Sequence, residues 1–324
     1  MDLDINVISK QYSEKNILVI GDIILDAYIY GKVDRISEEA PVPIVAINNK
    51  NFKPGGAANV ALNLIGLGAN VTLIGVAGND SESQNLRQCF TGIKGINNQI
   101  IDCEDRPTSI KTRVIANGRQ IARLDSEVVE KISNQYMKKV MERFDENCNN
   151  VDGIIIEDYN KGLLTKELIE YIVKYSKNKN IPVYVDPKYD NYGSYKGVRL
   201  FKPNLMEYNS IVKDKSFGDL PGSGFVFKEH MDSEILLLTL GSDGMSLYYD
   251  GKNHNIPTKA RKVFDVSGAG DTVIATFAIN DLCGLDPLNS SLISNLAAGR
   301  VCEEIGVYPI TIKSLKEIFS HHHN

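Results

Sequence analysis

The stretch Asp265–Thr272, DVSGAGDT, runs directly into the apolar segment Val273–Leu282. Three small residues, Gly268, Ala269 and Gly270, lead into a predicted helix N-terminus, where backbone N–H groups converge and the helix dipole is positive. A turn of this kind is an anion hole suited to phosphate. Asp271 falls in the first helical turn beside it. A carboxylate there can accept the proton of an attacking hydroxyl while the amides hold a transferring phosphoryl group. The plainer reading is that Asp271 only caps the helix.

Working outward, short apolar runs alternate with longer amphipathic ones. Ile17–Ile20, Val71–Val76, Ile154–Ile156, Val183–Val185 and Leu236–Thr239 read as buried strands. Ala58–Leu67, Ser81–Phe90, Glu130–Phe144, Thr165–Lys177 and Thr272–Asp281 read as helices. Strands separated by helix-length segments predict an α/β fold with a mostly parallel sheet covered on both faces. Two stretches break the rhythm. Pro41–Asn48 alternates like a half-exposed strand. Thr112–Leu124 reads as a β-hairpin, because Asn117-Gly118 supplies the two positive-φ residues of a type I′ turn. These strands do not belong in a parallel core and predict a small second sheet, either a lid over a site or an ordinary surface hairpin.

Further segments carry candidate chemistry. In Pro54–Asn59, PGGAAN, Gly55 and Gly56 allow close backbone approach to a ligand, and Asn59 can bond hydroxyls just before a helix predicted from Val60. Asp22 and Asp26 follow the first strand, at the carboxyl edge where α/β sheets place ligands; the alternative is capping. Asp186-Pro187-Lys188 ends one strand and Lys202-Pro203-Asn204-Leu205-Met206-Glu207 follows another. Asn204 and Glu207, three apart, can hold a hydrated Mg²⁺ near phosphates or form a capping pair. Thr239–Gly244 closes a fifth strand with another Gly-rich turn. No G-x-x-x-x-G-K-[ST], H-E-x-x-H or G-x-S-x-G is present, and the G-x-G at Gly66–Gly68 lacks a third glycine.

The chain has 324 residues, 43% hydrophobic and 24% charged, with a formal net charge of −5. That balance argues against nucleic acid as the main partner. Five scattered cysteines without a C-x-x-C pair point to a reducing, cytoplasmic setting. Ile17–Leu25 is too short for a membrane span and is interrupted by Asp22, and MDLDINVISK does not read as a signal peptide. Ser320–Asn324, with three adjacent histidines, reads as a disordered tail or an expression remnant.

Taken together, these segments resemble the ribokinase-like, or PfkB, carbohydrate kinases. Asp26, the PGGAAN segment continuing through Gly75 and Gly78, the Asn204/Glu207 motif, the LTLGSDG turn and DVSGAGD match in order. Within that family the chain is most similar to the bacterial D-glycero-β-D-manno-heptose 7-phosphate kinases. The residues that carry this are Gly21–Val45 (with RISEEAPVP at Arg35–Pro43), Pro54–Gly75, Arg106–Glu127, EDYNKG at Glu157–Gly162 and the Asp186 triplet. Glu157 stands where that subgroup more often has Ser, and Tyr189 where Gly is usual.

The resemblance implies a three-layer ribokinase-like fold over residues 1–319, with an eight- or nine-stranded core and a β-sheet lid built from segments near 28–50 and 107–125. It implies ATP as co-substrate, Mg²⁺, room for a monovalent cation, and a homodimer paired through the lid. Lys188, Asn204, Leu205, Met206, Glu207, Thr239, Gly241, Ser242 and Gly244 fall on the nucleotide side, with Glu207 meeting the metal through water. Asp26, Gly55, Gly56, Asn59, Arg113, Arg123, Asp158 and Lys161 fall on the sugar side. Many members continue into a nucleotidyltransferase domain, and no HxGH-type motif stands in this chain, so a kinase alone is expected. The basic lid residues Lys111, Arg113 and Arg123 favour a substrate that already carries a phosphate; the plainer reading is solvated charge. A fructose 1-phosphate or ribose kinase is the alternative enzyme, and a silent sugar- or nucleotide-binding regulator the alternative class.

Overall fold

In a computed structural model of the chain, the structure describes residues 4–213, 220–259 and 263–322. Thirteen strands are present among them: β1 Asn16–Gly21, β2 Ile23–Ile36, β3 Pro43–Gly56, β4 Asn70–Gly78, β5 Ile96–Cys103, β6 Ile110–Ala116, β7 Arg119–Ser126, β8 Gly153–Glu157, β9 Val183–Asp186, β10 Leu200–Phe201, β11 Ile235–Thr239, β12 Met245–Tyr249 and β13 Lys252–Ile256. The α-helices are α1 Ile5–Ile8, α2 Ala57–Leu67, α3 Ser81–Gln88, α4 Asn134–Asn147, α5 Lys166–Lys179, α6 Leu205–Lys213, α7 Gly222–His230, α8 Ala269–Leu282, α9 Pro287–Val301 and α10 Ile312–His322.

Nine strands form the main sheet in the order β13-β12-β11-β10-β9-β8-β1-β4-β5. Its pairings from β5 to β11 are parallel, and β12 and β13 close one edge as an antiparallel hairpin. The buried runs ILVI, IIIE and VYVD are continuous rather than alternating because helices cover both faces of the sheet. One face packs against α2, α8, α9 and α10, the other against α4, α5, α6 and α7. Helix α8 lies against α2, α9 and the sheet, and ten of its fourteen residues, Asp271–Asn280, are buried. A helix enclosed on all sides reads as uniformly apolar, as AGDTVIATFAINDL does. Helix α2 ends at Gly68, whose left-handed φ of 105° lets its N–H reach Ile65 O at 2.9 Å while Ala69 N reaches Leu64 O.

The second sheet has the order β3-β2-β6-β7. The expected hairpin is there: Asn117 and Gly118 turn β6 into β7 with φ of 52° and 75°. This sheet is longer than expected from sequence, spanning 23–56 and 110–126, and its central pair β2/β6 is parallel. Four sequence expectations are corrected. Asp26 does not end β1 but lies within β2, on the lid sheet. Gly55 and Gly56 finish strand β3, and helix α2 starts at Ala57 rather than Val60. The helix expected from Glu130 begins at Asn134, after Ser133, which has extended backbone geometry. Ser320–His322 continue α10 instead of forming a disordered tail; His323 and Asn324 lie outside the described residues.

Phe277 on α8 is fully buried and meets Tyr184 of β9 edge-on. Phe277→Ala is expected to lower stability by about 3–5 kcal/mol, read as the shift of a urea midpoint at unchanged slope.

Candidate active site

Parallel pairing puts the carboxyl ends of β1, β8, β9 and β10 on one edge of the sheet. Gly21 pairs with Glu157, Glu157 with Asp186, and Val185 with Phe201, the residue before Lys202. The N-terminus of α8 comes down on this row. Carboxylate oxygens of Glu157, Asp186 and Asp271 lie within 4.8 Å of one another. The Lys202 ammonium, itself buried, pairs with Asp186 at 2.6 Å.

Both oxygens of Asp271 are held. Asn59 Nδ2 donates to Oδ2 at 2.6 Å and the Tyr159 hydroxyl to Oδ1 at 2.8 Å. Asn59 is fixed in turn through α2. Asn63 Nδ2 donates to Asn59 O at 2.8 Å, and Asn63 Oδ1 accepts from Thr272 Oγ1 of α8 (3.1 Å) and Ile310 N (2.9 Å). The sequence placed Asn59 and Asp271 in one site, and a buried amide network brings them together across 212 positions. Gly268 is left-handed (φ 79°), and a Cβ there would lie 2.7 Å from Asn59 Nδ2, so only glycine fits. Ala269 does not serve the anion hole as expected. Its N–H closes a turn on Val266 O at 3.2 Å. A Cβ on Gly270 would stand 3.5 Å from Lys202 Nζ and 3.6 Å from Asp186 Oδ2, so this ion pair lies directly beneath that turn.

Burial raises the Asp271 pKa to about 6, against the hydrogen bonds from Asn59 and Tyr159 that favour its charged form. Such a value suits a general base at neutral pH. Glu157 is more extreme. It is wholly buried, neither carboxyl oxygen has a hydrogen-bond partner, and burial followed by repulsion from Asp186 and Asp271 pushes its pKa well above the ordinary range. For Lys202, burial works against the charge, but Asp186 and Glu157 outweigh it and keep the ammonium protonated.

On the lid, Arg113 pairs with Asp26, with both side chains largely buried. Gly55 packs against the same carboxylate, leaving no room for a side chain. Lys111 bonds Asp125 (3.2 Å) and Glu127 (3.0 Å), Lys161 bonds Glu127 (2.7 Å), and half-exposed Arg123 bonds Asp125 (3.0 Å). Every cation proposed from sequence to read a phosphate thus has a carboxylate partner. Four cations (Lys111, Arg113, Arg123, Lys161) face three carboxylates (Asp26, Asp125, Glu127), a local balance of 4 − 3 = +1. Arg113 and Arg123 stand directly opposite across β6 and β7.

Asp158 departs from its expected role at the sugar. It is buried, accepting from Asn160 N at 2.8 Å, Tyr195 Oη at 2.8 Å and Asn191 Nδ2 at 3.1 Å. Asp22 likewise accepts from Tyr159 N (2.9 Å) and Lys161 N (3.0 Å). Both carboxylates shape the EDYNKG loop from within, and neither is offered to a ligand.

Beyond Asp186 and Lys202, Asn204 and Glu207 form a reciprocal cap on α6. Asn204 N donates to Glu207 Oε2 (2.8 Å), and Glu207 N to Asn204 Oδ1 (2.9 Å). Glu207 Oε1 also pairs with Lys188. With each of these oxygens already engaged, the pair suits a metal reached through water rather than one bound directly. Thr239 N donates to Pro203 O at 3.1 Å and joins the turn Gly241–Asp243 to this motif. Gly241 and Gly244 take φ of 61° and 91°. Ser242 is exposed there, Leu205 is half-buried, and Met206 is 78% exposed, an apolar surface beside the turn. Burial opposes the Lys188 charge, but Asp186 and Glu207 outweigh it and hold its pKa above the ordinary lysine value.

Sequence reasoning gave no role in the site to Tyr159, Glu157, Asp186 or Lys202, although it singled out the segments that hold them. Their signal was present as strand ends: IIIE, VYVD and LFK each finish on a charged residue at the same sheet edge.

A buried carboxylate at a glycine-built helix N-terminus, a second glycine turn and a small separate sheet thus stand together in one fold. The chain belongs to the pfkB family of carbohydrate kinases, which it matches over residues 14–313. It is similar to the bifunctional protein HldE of Vibrio atlanticus, 36% identical over 312 residues, covering 96% of this chain and 64% of that protein. It is also similar to the bifunctional protein HldE of a Nitratiruptor species, at 38% over 303 residues, 93% of this chain and 64% of the relative. The chain thus spans a little under two thirds of the length of these relatives. Among solved structures, phosphofructokinase-2 from Escherichia coli in complex with substrates and products superposes with a TM-score of 0.79 at 14% identity, covering 96% and 100% of the two chains. Ribokinase of Arabidopsis thaliana complexed with ribose and ATP gives 0.68 at 16%, covering 94% and 98%. At these identities the structures speak for the ribokinase-like fold alone. No helix among the described residues is long and apolar enough to cross a membrane.

Glu157 makes stability depend on pH with a definite sign. A carboxyl whose folded pKa is raised favours the folded state while protonated, and that contribution is lost as pH rises above the unfolded value toward the folded one. Glu157→Gln is expected to flatten the fall of Tm with rising pH above about 4.5, measured by calorimetry across a pH series. An unchanged pH slope would show that Glu157 does not carry this titration.

Proposed function

We propose that the chain transfers the γ-phosphoryl group of ATP to the anomeric hydroxyl of D-glycero-D-manno-heptose 7-phosphate, giving the 1,7-bisphosphate for nucleotide-activated heptose and surface polysaccharide. The observation that carries the chemistry is Asp271, held by Asn59 and Tyr159 at the glycine-built start of α8. Asp271 takes the hydroxyl proton as the sugar oxygen bonds to phosphorus. The bond from phosphorus to the β,γ-bridging oxygen breaks, and ADP leaves. Gly268 and Gly270 receive the transferring group, and Lys202 supplies fixed positive charge beneath it. Asp26, Gly55, Gly56 and Asn59 line the sugar side. Lys188 and the turn Gly241–Gly244 line the nucleotide side. Mg²⁺ carried with the triphosphate would neutralise phosphate charge, with Glu207 reaching it through water.

The substrate assignment rests on the resemblance of RISEEAPVP and the Arg106–Glu127 segment to heptose 7-phosphate kinases, and on the basic lid. A phosphate arriving there would replace the carboxylate partners of Arg123 and Lys161 and meet Arg113 beside its retained partner Asp26, each a charge-assisted contact. A fructose 1-phosphate kinase is the second reading, since the same lid cations suit any sugar phosphate. A silent regulator has less support, because the base and its glycines are all in place. Comparison of kcat/KM for heptose 7-phosphate, unphosphorylated heptose and fructose 1-phosphate tests the assignment. Heptose 7-phosphate is expected to exceed the unphosphorylated sugar by about 10²-fold or more, given contacts worth ~1.5–3 kcal/mol each. Equal values would remove the lid cations as phosphate readers, and a preference for fructose 1-phosphate would replace the substrate.

We further propose that the active species is a homodimer joined through the lid. Register places Ile29, Val114, Ile47 and Leu124 on the sheet face opposite Asp26 and Arg113. Ile47 and Leu124 are 63% and 59% exposed. Covering such a face with a second copy removes both apolar surface and open strand edge from water. Light scattering at micromolar concentration is expected to show a dimer for the native chain and a monomer for the pair Ile47→Asp, Leu124→Asp. A native chain that is monomeric overturns the proposal.

A further inference from the structure

The phenol of Tyr159 stands between two parts of the site that the reaction must use together. Its hydroxyl donates to Asp271 Oδ1 at 2.8 Å, and its ring lies 5.0 Å below the Lys188 ammonium, which is paired with Glu207. The backbone leaves it little freedom, because Tyr159 N donates to the buried Asp22 carboxylate and the flanking Asp158 is tied to Tyr195 and Asn191.

We propose that Tyr159 is a positioning residue for the catalytic base: its hydroxyl fixes one oxygen of Asp271 and keeps that carboxylate ionised in a desolvated site. The proposal rests on Asp271 being the base. Asp271 is surrounded by charge from several elements. Asp186 at the end of β9 opposes its ionisation, Lys202 after β10 favours it, Asn59 of α2 donates a second neutral hydrogen bond, and Glu157 at the end of β8 stands beside it with its own pKa pushed well above the ordinary range. Asp186 and Lys202 are paired with each other, so they leave little net charge to hold Asp271 ionised against its burial. The two neutral donors therefore tip the balance, and of these only Tyr159 is also packed against the nucleotide-side lysine. The phenol is suited to stay a donor. Burial, and then the nearby Asp271, Glu157 and Asp186 charges, hold it protonated far above neutral pH.

Removing the hydroxyl while keeping the ring separates this role from packing. In Tyr159→Phe the ring under Lys188 remains and the donor to Asp271 is lost. The acid limb of kcat/KM is expected to move to higher pH by about one unit, the size of a single hydrogen bond to a charged group. Placing 3-fluorotyrosine at 159 makes a stronger donor and is expected to move the limb to lower pH. Asp271→Asn is expected to lower kcat by about 10²–10⁴-fold and serves as the control on the underlying assignment. If Asp271→Asn keeps near-native turnover, the base itself is misassigned. If Asp271→Asn is inactive and neither Tyr159 replacement moves the acid limb, Asp271 stands and the role given to Tyr159 is overturned.

Discussion

Three carboxylates and one ammonium share a desolvated space at the carboxyl edge of the main sheet, and much of the site is arranged around the cost of keeping them there. Burial, and then the charges of Asp186 and Asp271, push Glu157 toward its protonated form, while Lys202 pairs with Asp186. Such a cluster is tolerable only where rigid elements fix every member. Three members end or directly follow adjacent parallel strands, whose spacing is set by backbone hydrogen bonds. The fourth, Asp271, is carried in on the first turn of α8. That helix is apolar along the rest of its length and is wedged between the sheet and its neighbouring helices. The stability of the surrounding core holds in place a site that would otherwise take up water or relax.

The polar contacts between α2 and α8 do a different job from the apolar ones. Leu64, Ile274 and Phe277 help bury the helix pair, but they do not specify its axial position to within a hydrogen bond. Asn63, Thr272 and the Ile310 amide do so, because a buried amide or hydroxyl out of register would lose its partner. Asn59, one turn before Asn63, is thereby delivered to Asp271. The same logic runs through the EDYNKG loop, where the buried carboxylates of Asp22 and Asp158 accept from the backbone and aim Tyr159 at the base.

The lid is built on the opposite plan. Its two longest strands are buried only at the start of β2 and the end of β3, β7 is exposed throughout, and its polar side is a lattice of ion pairs with little net charge. Pairs with a half-exposed partner, such as Arg123 with Asp125, are individually weak. They can change partners at small cost. Arg113 and Asp26 are the exception, being largely buried, and Gly55 packs against them where a side chain would not fit. The lid is therefore firm at its base and adaptable toward its tip.

How much of this was legible in the chain itself follows from the range of each interaction. Strands such as Ile154–Ile156, the helix after DVSGAGD and the Asn117-Gly118 turn are set by periodicity and local φ preferences, so they could be read directly. The motif residues Asp271, Asn59, Arg113 and Glu207 were legible because glycines, prolines and charges mark them locally. The sequence could not show that Asp26 lies on the lid, since a β-strand that leaves one sheet for another keeps the same alternation. Nor could it show that Asp158 turns inward, or that Ala269 spends its N–H on a turn. The cluster of Glu157, Asp186, Asp271 and Lys202 needed the register of four strands and the approach of one helix, which join residues more than a hundred positions apart. Sequence by itself determined the elements and which residue types stand at their ends. Only the tertiary structure decided which of those ends meet and which charges face one another without water, because those are long-range pairings that no local segment encodes.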